Sequence, residues 1–385
     1  MRFIPRILQR ELSKAARQFP AMILTGPRRA GKTTLFRRLF PKASYHLLED
    51  PDVVARVRAD PRSFLEDVRL PVILDEIQNV PELLNYIRAR IDRVPHRKGQ
   101  WFLTGSQEAA LMKGVTESMA GRAAVFQLLP LSMQESRKVS LWAGGFPEVL
   151  EQPRAGRVWF QSYLQTYLER DVRAVSSIRD LSTFRRFLSL LASRCGQILN
   201  RTDLAAPLGV SIPTISGWLS ILETTMQIIL VPPFYENFGK RLIKSPKLYF
   251  VDSGLVCHLL GIDSPQHLMK SAFLGPLFES FVASEIVKAQ LHKARRKELY
   301  FFRDQQGLEV DFLVPRGPQE ITLLEAKASR TITPAMGASL DRLAKGIKRY
   351  TTRRFVVSLS GHVPASAPLR PGIRQIDVAS LSTVI

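Results

Sequence analysis

Gly26-Pro27-Arg28-Arg29-Ala30-Gly31-Lys32-Thr33 decides the fold, because this stretch fills the glycine-rich phosphate-loop pattern without a mismatch. A triphosphate cradled by main chain needs successive N–H groups turned inward and a helix N-terminus aimed at the anion. Glycine permits the backbone turn. The flanks supply the matching context. Ala21-Met22-Ile23-Leu24-Thr25 is a short apolar run suited to a buried parallel strand, and Lys32 to Phe40 reads as a helix stopped before Pro41. The loop and the first helical turn, Gly26 through Thr34, are therefore expected to hold ATP. Within it, Lys32 should reach the β- and γ-phosphates and the Thr33 hydroxyl should bind Mg²⁺.

Further along, Val72-Ile73-Leu74-Asp75-Glu76 is a second apolar run, and it ends in two acids. This places Asp75 at the C-terminal edge of the sheet, where ligands bind in open α/β folds. Asp75 is expected to hold Mg²⁺ through water and Glu76 to orient and polarise the attacking water. The bland alternative is a helix N-cap. Gln100 to Thr104 reads as a third strand closing in Gly105-Ser106, where a hydroxyl, Thr104 first, either senses the γ-phosphate or caps the next turn. Upstream, Arg6 to Gln18 predicts an amphipathic helix with Ile7, Leu8, Leu12 and Ala15 on one side. Strands alternating with helices across residues 20–130 indicate an α/β domain with a largely parallel sheet, and Gly144-Gly145-Phe146-Pro147 marks its exit.

The bulk numbers narrow the class. The chain has 385 residues, 45% hydrophobic and 23% charged, ordinary values for a globular protein of two or three domains. No apolar run approaches the length that crosses a bilayer, so no membrane span is expected. The first residues mix Arg, Lys and Glu with apolar residues and carry no continuous apolar core, so no secretory signal is expected. Two cysteines, Cys195 and Cys257, suit the reducing cytoplasm. Fifty-five Lys+Arg against thirty-four Asp+Glu give +21, a balance that attracts DNA independently of base sequence or else serves solubility. The charge is concentrated. Residues 1–40 hold ten basic side chains (Arg2, Arg6, Arg10, Lys14, Arg17, Arg28, Arg29, Lys32, Arg37, Arg38) and one acid, and Lys293, Arg295, Arg296 and Lys297 form another cluster.

From about 155 to 230 the pattern turns helical. Phe184, Phe187, Leu188 and Leu191 recur at helix spacing, and a Gly209-containing turn leads to a second helix through Ile215, Trp218, Leu219 and Leu222. Met226 to Val231 and Lys247 to Val251 read as the strands of a β wing. Leu181 to Val231 thus has winged-helix spacing. Ser211, Thr214 and Ser216 offer polar contacts, but no Arg or Lys lies between Ser211 and Glu223. The module is poorly equipped to read bases, and it either touches duplex non-specifically or only packs.

Several motifs together resemble the prokaryotic AAA-type ATPases that carry a C-terminal domain of unknown function. They are Gly26–Thr33, Leu74-Asp75-Glu76-Ile77-Gln78, Phe102-Leu103-Thr104-Gly105-Ser106, Met119-Ala120-Gly121-Arg122, Leu129-Pro130-Leu131-Ser132 and Lys244 to Leu255. The resemblance covers nearly the whole chain and implies assembly into a homo-oligomer. It also implies that Arg122 completes a neighbouring subunit's site; the alternative for Arg122 is a structural salt bridge.

After residue 275 the order helix, strand, strand, strand resembles the PD-(D/E)xK nuclease fold. The helix begins at Leu277-Phe278-Glu279, and the strands are Glu298–Arg303, Leu308–Val314 and Ile321–Ala328. Period-two alternation puts Glu325 and Lys327 on one face of the last strand. In this reading Asp311 and Glu325 share a Mg²⁺, Lys327 positions or activates water, and Glu279 completes the carboxylate cluster, with Glu285 on the same helix as a competitor. The bland reading is a set of ordinary surface charges.

The sequence therefore predicts a three-part α/β protein. Residues 1–150 form an AAA-type ATPase domain, 151–255 a helical and winged-helix domain, and 256–385 a restriction-endonuclease-like domain. The expected function is ATP hydrolysis coupled to binding, remodelling or processing DNA, with branched or broken DNA as a candidate substrate and endonuclease action as a second activity. The rival is a regulatory switch acting on a protein partner, its nuclease-like domain degenerate.

Overall fold

Residues Ala21–Thr25 (β1) are buried throughout, and their side chains alternate between two apolar layers. Met22 and Leu24 pack with Leu8, Leu12, Leu35, Phe36 and Phe102, while Ala21 and Ile23 pack with Val72, Leu74, Leu84, Ile87 and Leu103. A strand covered on both faces must be apolar almost throughout, which explains the missing polar alternation. The computed structural model describes residues 3–106, 118–168, 181–234, 245–359 and 367–385. Arg2 of the N-terminal basic group and Lys244 of the linking motif lie outside the described residues. The chain divides into two compact units. One is Met1–Pro130 with Thr224–Met226 and Leu291–Arg295, and the other is the remainder.

In the first unit, β2 (Ser44–Leu47), β3 (Val72–Asp75), β4 (Trp101–Gly105) and β5 (Ala123–Gln127) join β1 in the order β2-β3-β4-β1-β5. Every recorded pairing is parallel. All the strands thus end on one edge of the sheet, so the turn after Thr25 and the acid Asp75 emerge together. The helix Lys32–Leu39 packs across the sheet, with Phe40 stacked on Phe102 at 3.9 Å and Phe36 tilted against it at 5.6 Å. The N-terminal helix begins at Gln9 rather than Arg6. Arg6 is the reason: its N–H donates to Gln9 Oε1 and its side chain turns inward to Ala30, so it is anchored ahead of the helix.

In the second unit, helices Leu181–Ser193, Arg201–Ala205 and Ile212–Thr224 precede an antiparallel pair, β6 (Ile228–Val231) and β7 (Lys247–Phe250). Gly209 takes a left-handed φ of 65° in the turn before the third helix. Trp218 of that helix packs edge-on to Phe184 at 5.3 Å. Met226, expected to open the strand, has φ 55°, and β6 starts two residues later. Ser211 is exposed and caps its helix, whereas Thr214 and Ser216 are half-buried.

The helix Leu274–Leu291 leads to β8 (Tyr300–Arg303), β9 (Glu309–Gly317) and β10 (Glu320–Lys327); then follow helix Ala338–Gly346, β11 (Thr351–Ser358), β12 (Ala367–Arg370) and β13 (Ile373–Asp377). The sheet runs β12-β13-β11-β10-β9-β8, with β8, β9 and β10 antiparallel and β10, β11 and β13 parallel. The strands after β10 extend the sheet beyond the three read from sequence. Val310, Leu313, Ile321, Leu323, Leu340, Val356 and Ile373 form its core. Cys195 and Cys257 are buried free thiols. Among the described residues no single helix is long and apolar enough to cross a membrane.

Phe102 carries the stacking between the sheet and the helix after the loop. Phe102→Ala is expected to cost about 3–5 kcal/mol, the usual penalty for emptying a buried phenyl site, read as a fall in the urea unfolding midpoint.

Candidate functional site

The turn from β1 into the helix Lys32–Leu39 runs through three residues of positive φ: Gly26 (147°), Arg29 (63°) and Gly31 (94°). A Cβ at position 26 would lie 2.1 Å from the Leu128 carbonyl oxygen, so space as well as φ demands glycine there. Lys32 is 5% exposed and donates to the carbonyls of Gly26 and Pro27, each at 3.0 Å. Its ammonium is thereby held against the loop that should receive the phosphates. Pro27, Arg28 and Ala30 are buried, while Arg29 and Thr34 are exposed. Arg28 reaches Glu49 at 3.9 Å.

Asp75, 4% exposed at the end of β3, collects three hydroxyls. Thr33 Oγ1 donates at 2.9 Å to either carboxylate oxygen, Tyr45 Oη donates at 2.8 Å to Oδ2, and Thr104 Oγ1 donates to Oδ1. Burial first, and then the bond to Asp75, push the Tyr45 phenol well above its ordinary pKa, so it remains a donor. Glu76 has a left-handed backbone (φ 59°), uncommon for a residue with a side chain, and makes no side-chain cap to the turn that follows. Its carboxylate accepts from Gln78 Nε2, and its N–H donates to Thr104 Oγ1 at 3.4 Å. Thr104 therefore links the two acids. Tyr45 was not legible in the sequence, since it comes from the half-exposed edge strand β2.

The structure does not bring Arg122 to its own chain's loop. It precedes β5, on the sheet edge opposite the one where β1 ends, and grips Asp92 through Nε at 2.6 Å and Nη2 at 2.9 Å. Of the N-terminal basic group, Arg10, Lys14, Arg17, Arg29, Arg37 and Arg38 are exposed, and three members are not. Arg6, Arg28 and Lys32 are 6%, 8% and 5% exposed, because they serve the loop from inside.

The second unit gathers Glu279, Asp311, Glu325 and Lys327 as expected, with companions that the sequence reading missed. Lys247 of β7, its side chain 3% exposed, lies 2.8 Å from Glu279, 2.5 Å from Glu309 and 3.7 Å from Asp311. Tyr249 Oη donates to Glu279 at 2.5 Å. Asp311 accepts from the Ala326 N–H at 2.9 Å, and Glu325 accepts from Lys327 at 2.7 Å and Ser339 at 3.1 Å. Glu285 stands apart, bound to Lys288 and the Met133 N–H. Glu279, Asp311 and Glu325 were the expected metal set. Among the described residues no three Asp, Glu, His or Cys side chains are placed to hold a metal ion. An ammonium, Lys247, supplies the positive charge between Glu279 and Asp311.

Burial first, then the Asp311 charge, raise Glu279 and Glu325 each to about 7, against the pull of Lys247 and Lys327 respectively. Asp311 is raised as well, chiefly by burial and against Lys247. Burial would lower Lys327, but Glu325, Asp311 and Glu279 carry it above its usual value.

Three family models match along the chain: residues 18–136 an AAA domain, 134–266 a domain of unknown function (DUF8612), and 274–367 another domain of unknown function (DUF4143). A glycine-rich loop and a buried acid on the same edge of a parallel sheet, within the matched AAA region, define an ATP-hydrolysing enzyme of the P-loop AAA class. The chain belongs to the family of Rv2008c, an uncharacterized protein of Mycobacterium tuberculosis. The two are 31% identical over 336 residues, covering 86% of this chain and 74% of the relative. MJ1544, an uncharacterized protein of Methanocaldococcus jannaschii, is 22% identical over 333 residues, 76% of this chain and 71% of its own length. Among solved structures, the Walker-type ATPase PABY2304 of Pyrococcus abyssi aligns with 66% of this chain and 94% of its own at 16% identity and a TM-score of 0.43. So loose a superposition has no bearing on function.

A carboxyl whose folded-state pKa exceeds its unfolded value binds its proton more tightly in the native state. Its contribution to stability is complete below the ordinary Glu value and is lost as pH rises through the folded value of about 7 for Glu325. Melting in a chelating buffer should therefore shift downward between about pH 5 and about pH 8 for the wild type, and by less for Glu325→Gln. Equal shifts in the two proteins would show that Glu325 does not titrate in this window.

Proposed function

We propose that this ATPase is Mg²⁺-dependent and that its nucleotide cycle acts on DNA. One observation carries the catalytic half: Thr33 Oγ1 meets both oxygens of buried Asp75 at 2.9 Å. A hydroxyl and a carboxylate are the hard oxygen donors that Mg²⁺ takes, so the residues present fit the ion. When bound, Mg²⁺ supplies positive charge to the β- and γ-phosphates. Main-chain N–H groups across Gly26–Thr34 bind the phosphates, Lys32 pairs with the γ-phosphate side, and Glu76 orients and polarises the attacking water. Thr104 keeps Asp75 and Glu76 in register and is the residue of β4 best placed to sense the γ-phosphate. Arg122, remote from its own loop, acts in a neighbouring subunit of a homo-oligomer or only as a salt bridge.

The DNA half rests on a net charge of +21 and on the succession helix, three antiparallel strands, helix and parallel strand in residues 274–358. We divide the chain as residues 1–150, 151–255 and 256–385, for ATP hydrolysis, a winged-helix module and a nuclease-like DNA grip. Lys247 among the carboxylates favours gripping over cutting, because its ammonium already neutralises the charge that a catalytic cation would.

Glu76→Gln should bind ATP like the wild type while turnover falls by ~10²–10⁴-fold, the range for a lost general base. Lys32→Ala should weaken ATP by ~10–100-fold, the worth of charge-assisted hydrogen bonds. Calorimetric titration and phosphate release test both, and equal turnover by Glu76→Gln would remove the role assigned to that residue.

Duplexes of unrelated sequence should bind alike, with affinity falling steeply as salt rises. Lack of binding at low salt would favour a switch that acts on a protein partner. No Mg²⁺-dependent cutting is expected. Cutting by the wild type that disappears in Asp311→Asn and Lys327→Ala, with ATP turnover intact, would instead establish an endonuclease.

A further inference from the structure

We propose that Arg6 is a positioning residue for ATP binding: with His292 it forms a clamp that holds the phosphate loop in its nucleotide-binding shape. The proposal rests on the reading of Gly26–Thr33 as the ATP site.

A loop that aims its N–H groups at a phosphate turns carbonyls the other way, and a buried carbonyl needs a donor. Ala30, between the left-handed residues Arg29 and Gly31, is buried. Its carbonyl accepts from Arg6 Nη1 at 2.9 Å, while Arg6 Nη2 donates to the Leu129 carbonyl at 2.6 Å. At the other end of the loop, Gly26 lies directly against the Leu128 carbonyl. The segment Leu128-Leu129 is thus a rail. It supports the start of the loop by contact and the end of the loop through a guanidinium.

His292 fixes that rail. It is fully buried, and its Nε2 accepts from the Leu129 N–H at 3.3 Å and lies 3.5 Å from Arg6 Nη2. An Nε2 that accepts here must carry the lone pair, so the ring is the neutral tautomer with its proton on Nδ1. The contacts lie within one compact unit, to which Leu291–Arg295 contributes although His292 is 163 residues beyond Leu129. Arginine suits the position because its planar fork spans two carbonyls at once, whereas a lysine ammonium has no such fork. Arg6 touches the loop through the Ala30 carbonyl, so it should govern capture of ATP rather than the chemical step.

The test is steady-state ATP hydrolysis by the full chain, wild type beside Arg6→Met, Arg6→Lys, His292→Leu and His292→Gln, with melting curves for each. Arg6→Met should raise KM for ATP about tenfold or more while kcat at saturating ATP stays within about threefold. Arg6→Lys should fall between it and the wild type. His292→Gln, whose amide oxygen still accepts from Leu129, should stay near wild type, and His292→Leu should raise KM. A lower melting temperature with an unchanged KM in Arg6→Met and Arg6→Lys would overturn the clamp, since a merely structural arginine would do only that. If Arg6→Met does not fold, an unchanged KM in Arg6→Lys and His292→Leu overturns it equally. A wild type with no turnover would overturn the ATP-site reading and this proposal together. Normal wild-type turnover with loss in Lys32→Ala, beside unaltered KM in the Arg6 and His292 variants, would overturn this proposal alone.

Discussion

The meeting of Thr33 with Asp75 depends on five strands running the same way. The residues are 42 positions apart in sequence, and nothing local brings them together. Parallel pairing of β1, β3 and β4 sets their C-terminal ends on a common edge, and it does so only because both faces of the sheet are covered by apolar side chains. Once that edge exists, a buried carboxylate can be surrounded by hydroxyls from three different elements, each donating to it. The donors that satisfy Asp75 are neutral hydroxyls and not cations.

The second unit resolves a similar problem in the opposite way. Glu279, Glu309 and Asp311 converge from a helix and a strand, and burial makes the charges of Glu279 and Asp311 costly. Here the balance comes from a full positive charge. Lys247 arrives on β7, from a part of the chain that sequence reading assigned to a wing, and it is held charged by the acids around it. Hydroxyls leave the charge of the carboxylate they bind in place, whereas a buried ammonium offsets it. That contrast separates the two acidic sites of this molecule more clearly than any motif does.

Much of the architecture was readable because its cause is local. The glycines of the loop, the apolar run of β1, the acids closing β3 and the Glu325–Lys327 spacing all reflect constraints acting within a few residues: positive φ, two-sided burial and period-two alternation. Element ends were less legible where a distant partner set them. The N-terminal helix starts late because Arg6 is anchored to Ala30, and β6 starts late because Met226 turns left-handed. A count of N-terminal charges also carries no direction: Arg6, Arg28 and Lys32 are buried, while Arg10, Lys14, Arg17, Arg29, Arg37 and Arg38 are exposed.

By itself, then, the sequence determined the nucleotide loop, the parallel α/β frame and the identity of the acids that end β3. Those depend on backbone conformation and burial, which neighbouring residues impose. Only the tertiary structure decided who stands beside whom: Tyr45 and Thr104 on Asp75, Arg6 and His292 behind the loop, Lys247 among the C-terminal carboxylates. A buried charge or carbonyl takes whatever partner the packed chain brings within about 3 Å, and that partner's place in the sequence is set by topology.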